Sequence, residues 1–273
     1  MSRSWVRSLE DIRKVPARTG SFLQWAVVGA VIGIGIILLA LTFHDFRETV
    51  SAVTLWLPWY AGAVLFVLTH LGMVDDRNGR PHTSLLLPNA LSFVRLGLAP
   101  LVMWPCLNAP AHPVTGPIFA LFLAMLALTD ALDGWLARSR NACTRMGHML
   151  DPLADLAYLT FLAGGLFAAG VLPMPLFALL MVRYPGVFVV VLVLYFARGP
   201  AALRPTLVGK ATSLATNAVL ITVAFMLLLQ SSWPPASWVA WSVRVLYLLV
   251  VVNLLYLLRQ AAMWKRSSTF VTS

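Results

Sequence analysis

Four aspartates stand in two closely spaced pairs in a chain that otherwise avoids charge: Asp130 with Asp133, and Asp151 with Asp155. The first pair is spaced i,i+3 and the second i,i+4, so on helices each pair shares one face. Two antiparallel helices joined by a turn near Gly147 would bring all four carboxylates into one small volume. Left to themselves such groups repel, and each Asp placed within a membrane costs on the order of 3 kcal/mol. Bound divalent cations remove that objection. Hard carboxylate oxygens suit Mg²⁺ or Mn²⁺, and these ions usually also hold substrate phosphates. The spacing therefore predicts a divalent-metal site.

The elements that position these carboxylates have to be membrane helices. Of the 273 residues, 60% are hydrophobic and only 11% charged, with a mean hydropathy of +0.83. A soluble chain carries about 25% charged residues. Apolar runs of about 20 residues read as membrane spans. They fall near 22–43, 54–74, 88–107, 115–136, 150–170, 175–197, 206–230 and 236–258. The fold expected is an all-α integral membrane protein of about eight transmembrane helices. The first run is too long for a secretory h-region and no small-residue cleavage site follows it, so it is expected to be retained.

The net charge is +10. If the spans alternate, Arg3, Arg7, Arg13, Lys14, Arg18, Arg77, Arg80, Arg138, Arg140, Arg145, Arg198, Arg204, Lys210, Arg259, Lys265 and Arg266 all fall on one side, and Arg47 on the other. The positive-inside rule makes the crowded side cytoplasmic, with both termini there. The charge is thus a topology and anionic-lipid signal rather than a nucleic-acid one, because no compact domain carries a basic face. Trp56, Trp59, Trp104, Trp233, Trp238 and Trp241 near outer ends, and Trp25, Trp135 and Trp264 near inner ends, fit an aromatic belt. Cys106 and Cys143 fall on opposite sides of the membrane, so no disulfide joins them.

Residues 1–85 read as an appendage of a basic tail, two spans and a polar loop; residues 86–273 read as a six-helix catalytic unit with a short tail. Gly29 and Gly33 form a small-xxx-small pattern, for which helix packing is the expected role.

Asp130, Asp133, Gly134, Ala137, Arg138, Gly147, Asp151 and Asp155 together match the signature of the CDP-alcohol phosphotransferase family. The segment Pro88-Asn89-Ala-Leu-Ser92-Phe-Val-Arg95 resembles the stretch that leads into that family's first core helix. The resemblance covers roughly 86–258 and leaves the two leading spans outside it. It implies two divalent ions, Mg²⁺ or Mn²⁺, held by Asp130, Asp133, Asp151 and Asp155, with Asp155 also the general base. Gly134 and Ala137 lie one turn apart and leave room for a nucleotide, Arg138 can pair a phosphate with its planar fork, and Asn89 is expected beside them. A CDP-linked lipid presents a diphosphate that needs cations, and an alcohol acceptor needs a carboxylate to take its proton. A homodimer in the bacterial inner membrane, with the site facing the cytoplasm, is implied as well.

Arg183, inside the sixth span, is a functional candidate as an intramembrane Arg. With Lys210, which follows Gly209 as in phosphatidylglycerophosphate and cardiolipin synthases, it is expected to bind an anionic acceptor. Arg244 is expected to be structural or snorkelling, and His148 packed or solvated. The string Asp151-Pro152-Leu-Ala154-Asp155 resembles the phosphatidylglycerophosphate and cardiolipin branch; Leu156, Tyr184, Thr212 and Ser213 depart from it. The expected reaction is transfer of a phosphatidyl group from CDP-diacylglycerol to glycerol 3-phosphate or phosphatidylglycerol with release of CMP, a lipid or polyol acceptor remaining open. The rivals are CDP-choline or CDP-ethanolamine transfer to diacylglycerol, and a cation-binding transporter. The transporter would need acidic groups deep in several spans, whereas these cluster near one face.

Overall fold

A computed structural model describes residues 16–71, 74, 86–108, 114–139, 144–189, 207–229 and 236–267. These residues are helical apart from short connections, and seven of the helices are long and apolar enough to cross a membrane. In chain order they are α1 (Pro16–Phe43), α2 (Phe46–His70), α3 (Leu87–Leu98), α4 (Met103–Asn108), α5 (Thr115–Ser139), α6 (Arg145–Ala168), α7 (Met174–Met181), α8 (Leu207–Leu229) and α9 (Ala236–Ser267). A 3₁₀ turn, Ala99–Val102, joins α3 to α4, so the two cross as one bent span; a π turn, Val182–Gly186, extends α7.

Each boundary has a local cause. Asp45 takes extended backbone at the N-cap of α2, and Glu48 sits in its first turn, where the helix dipole favours an acid. The helix thus starts at Phe46 rather than near 54, because its polar first turns lie outside the apolar run that hydropathy detects. Pro88 lies in the first turn of α3, where its missing N–H leaves no helical bond unmade. Pro100 cannot continue the α pattern, and the chain tightens into the 3₁₀ turn there. Thr144 caps α6, its hydroxyl accepting from the Gly147 N–H at 3.0 Å. Gly147 therefore lies in the first turn of α6 and not in the turn expected near it; residues 140–143, which precede this helix, lie outside the described residues. Pro185 sits in the π turn, where it cannot donate to the carbonyl four residues back. The span expected over 175–197 is described as far as residue 189, and 190–197 lie outside the described residues.

The α3–α4 span is the centre of the bundle: 83% of its membrane-length window is buried, against 22% for α1 and 17% for α9. Helix α3 packs on α6, α5, α2 and α1, while α8 packs on α9, α5 and α6. Lipid tails give apolar side chains no reason to prefer a helix neighbour, so close approach and interhelical hydrogen bonds have to hold such a bundle. Gly116 of α5 illustrates the first: a Cβ there would collide with the Leu228 carbonyl of α8. Arg18 illustrates the second, donating to the Leu71 carbonyl at 3.2 Å and so tying the start of α1 to the end of α2. Arg244 is exposed on α9 with its guanidinium 6.0 Å from the Trp241 ring, as a snorkelling side chain would be, and His148 is exposed on α6.

Candidate active site

Asn89, Ser92 and Arg95 recur at three-residue steps on α3 and so share a helix face, and all three are buried. That face meets the end of α5 and the start of α6. The Ser92 hydroxyl lies 3.0 Å from an Asp133 carboxylate oxygen and 2.6 Å from one of Asp151, so both acids converge on a single atom. The Arg95 guanidinium donates to Asp155 at 2.8 Å and forms an ion pair with Asp133 at 3.7 Å. Three of the four motif aspartates are thus gathered about two neighbouring side chains of α3. Their exposure is graded, the Asp133 side chain being 4% exposed and that of Asp155 52%. Asp133 anchors the cluster from within, and Asp155 stands where a solute can reach it.

Asn89 holds the register of this assembly. Its amide donates to the Thr144 hydroxyl at 2.9 Å, while that hydroxyl lies 3.1 Å from the Asn89 carbonyl oxygen and also caps α6. A Cβ on Gly147 would come within 2.9 Å of the same Asn89 oxygen, so this position needs glycine for the two helices to approach. Asn89, expected at the nucleotide, directs its amide to Thr144 here.

Asp130, Gly134, Ala137 and Arg138 lie on α5 with Asp133, and Gly134 is half-buried; the side chains of Asp130, Ala137 and Arg138 lie outside the described residues. Among the described residues, no group of three His, Cys, Asp or Glu stands ready to hold an ion by itself. The donor chemistry nevertheless suits a hard divalent ion, since carboxylate and hydroxyl oxygens meet within 3.0 Å of each other and Asp130 is on the same helix as Asp133.

Arg183 lies elsewhere, in the π turn after α7. It is buried, and its guanidinium donates to the Asn253 side-chain oxygen of α9, to the Gly209 carbonyl at 3.3 Å and to the Ser213 hydroxyl at 3.1 Å. It also lies 5.0 Å from the Tyr184 ring centre. These contacts bring Arg183 beside the turn of α8 that carries Lys210, whose side chain lies outside the described residues. No motif aspartate is among its described partners.

Sequence reasoning assigned no role to Ser92, Arg95, Thr144 or Asn253. Arg95 had a signal, because an arginine inside an apolar run demands a partner. Thr144 had one too, as a capping residue three positions before Gly147. Nothing in the sequence pairs Asn253 with Arg183.

The family profile described as CDP-alcohol phosphatidyltransferase matches residues 85–269. A CDP-diacylglycerol–glycerol-3-phosphate 3-phosphatidyltransferase of Aquifex aeolicus is 33% identical over 141 residues, covering 51% of this chain and 75% of that protein. A CMP-forming cardiolipin synthase of Streptomyces coelicolor is 33% identical over 157 residues, covering 57% and 69%. One from Rattus norvegicus is 38% identical over 98 residues, covering 36% and 31%.

Proposed function

Because the chain belongs to the CDP-alcohol phosphatidyltransferase family, we propose that this multi-pass membrane protein transfers a phosphatidyl group from CDP-diacylglycerol to an alcohol and releases CMP. Glycerol 3-phosphate or phosphatidylglycerol is the proposed acceptor: the first is in the name of the Aquifex aeolicus relative, and the second is the alcohol that would give cardiolipin with release of CMP, the product and by-product named for the Streptomyces coelicolor one. The observation that carries the reading is the convergence of Asp133, Asp151 and Asp155 about Ser92 and Arg95.

In this reading Asp130, Asp133, Asp151 and Asp155 would hold two divalent cations, Mg²⁺ or Mn²⁺, which would neutralise the diphosphate and stabilise the charge left on departing CMP. Asp155, the most exposed of the three described acids, takes the proton of the acceptor hydroxyl. The hydroxyl oxygen then attacks the phosphorus joined to diacylglycerol, the bond from that phosphorus to the bridging oxygen breaks, and CMP leaves with it. Arg95 orients the Asp155 carboxylate from one side, and Ser92 orients Asp133 and Asp151. Gly134 and Ala137 give the nucleotide access to the backbone of α5, beside Asn89, and Arg138 pairs a phosphate oxygen. Arg183 and Lys210 receive the anionic group of the acceptor. Supporting this, the described partners of Arg183 are neutral, so its charge is available to an anion. The proposed setting is the bacterial inner membrane, with termini and site facing the cytoplasm, on the asymmetry of the basic residues. A homodimer belongs to the same reading on family resemblance.

The test is CMP release by the purified protein, with labelled CDP-diacylglycerol or CDP-ethanolamine and a panel of acceptors. CMP from CDP-diacylglycerol with glycerol 3-phosphate or phosphatidylglycerol is expected. Release from CDP-ethanolamine with diacylglycerol, and none from CDP-diacylglycerol, would overturn the proposal.

A further inference from the structure

The family match begins at residue 85, so α1 and α2 lie ahead of it, yet α2 reaches directly into the helix that organises the carboxylates. The indole of Trp59 donates to the Leu96 carbonyl at 2.7 Å, and that of Trp56 to the Gly97 carbonyl at 3.1 Å. Leu96 and Gly97 directly follow Arg95. Pro100 bears on both carbonyls. Pro100 is four residues after Leu96 and three after Gly97, so it is the α-type partner of the first and the 3₁₀-type partner of the second, and it has no N–H to give either. The Leu96 carbonyl accepts instead from the Ala99 N–H as the chain tightens, and in a membrane interior water adds no further donor to either group. The Trp59 indole adds a second donor at the Leu96 carbonyl, and the Trp56 indole brings one to Gly97, so α2 grips α3 at its break.

The indoles are themselves held from both sides. A Cβ on Gly33 of α1 would overlap the Trp56 ring, and one on Gly97 would lie 2.7 Å from the Tyr60 ring. The Gly29–Gly33 pattern thus seats aromatic rings of α2; the Tyr60 hydroxyl donates to the Ala26 carbonyl beside it. Trp59 also meets Phe161 edge-on at 5.0 Å, and Phe161 is on α6 with Asp151 and Asp155. Phe22 of α1 packs edge-on against Phe93, between Ser92 and Arg95, at 5.0 Å.

Resting on the transferase reading above, we propose that Trp56 and Trp59 are positioning residues. They fix the rotation and axial setting of α3 at its proline break, and through it the placement of Ser92 and Arg95 against the aspartates. The leading helices are then a working part of the catalytic unit.

Phenylalanine keeps an apolar ring and removes the N–H, so Trp59→Phe and Trp56→Phe isolate the hydrogen bond. Trp104→Phe is the control. Its indole also bonds α2, at the Glu48 carbonyl and 3.0 Å, but from α4, beyond the proline break. In full-length protein in nanodiscs, each of the first two variants is expected to lower kcat for CMP release about ten- to a hundredfold, since a misplacement of about 1 Å can cost on the order of 10²-fold. They should also raise the half-saturating Mg²⁺ concentration and speed backbone hydrogen–deuterium exchange across 86–98. Trp104→Phe should lower only the melting temperature. Trp59→His, whose Nε2 occupies the ring position of the indole nitrogen, should recover part of the kcat lost in Trp59→Phe. The inference is overturned if the Trp56 and Trp59 variants behave as Trp104→Phe does, or leave exchange over 86–98 unchanged. If the unaltered protein releases no CMP the transferase reading falls, while exchange over 86–98 still decides whether the indoles hold α3.

Discussion

Arg95 and Arg183 are both buried in helical segments, yet among the described residues one meets acids and the other neutral groups. Arg95 reaches Asp155 at 2.8 Å and Asp133 at 3.7 Å. Arg183 reaches an amide, a carbonyl and a hydroxyl, and lies beside a tyrosine ring. A charged side chain within a membrane costs on the order of 3 kcal/mol, and the two regions meet that cost differently. At Arg95 charge answers charge, so the residue is chiefly an organiser. At Arg183 the described partners are dipoles, which solvate the guanidinium without cancelling its charge, as the proposed acceptor-binding role requires. Two arginines indistinguishable as letters in an apolar run thus have different chemistry.

The largest effect that bears on this contrast is expected at the acid Arg95 holds. Asp155→Asn should lower CMP release by about 10²- to 10⁴-fold, the range for loss of a general base, while nucleotide binding measured by calorimetry persists. Near-normal turnover would remove Asp155 from that role. Next, Arg95→Leu leaves the buried Asp133 without its ion pair, and breaking such a pair costs about 3–5 kcal/mol. It should markedly lower the melting temperature as well as activity. Arg183→Gln should lower the melting temperature less, because the partners it leaves are neutral, and raise KM for glycerol 3-phosphate about tenfold, as expected for one charge-assisted hydrogen bond. KM for CDP-diacylglycerol should not move. Equal losses of stability in the two arginine variants would dissolve the contrast. The smallest effect is expected at Gly147→Ala, which crowds the Asn89 oxygen and should cost about 1–3 kcal/mol by overpacking, read as a lower melting temperature.

Much of this was legible in the sequence because a bilayer simplifies the rules. Apolar length gives helices, and α1, α5, α8 and α9 lie close to where their runs predict. Helix spacing put Asp151 with Asp155, and the structure adds that Asp133 joins them through α3. Hydropathy sees only the part of a helix that lies in lipid, so the polar first turns of α2 and α6 were missed. Pro100 was visible as a breaker, but that Trp56 and Trp59, some forty residues earlier, would donate to the carbonyls just before it was not. Pairings across such separations, Arg95 with Asp155 or Arg183 with Asn253, leave no periodic trace in one sequence.

The contact between Gly116 and the Leu228 carbonyl lies at the opposite end of α5 from Asp133. There α5 and α8 touch backbone to backbone, so the seam between them is shut at that end. On the reading proposed above, a nucleotide admitted among the aspartates would meet this close contact if it followed the seam between α5 and α8. The two ends of α5 thus differ in kind, polar side chains meeting neighbouring helices at one and bare backbone meeting backbone at the other.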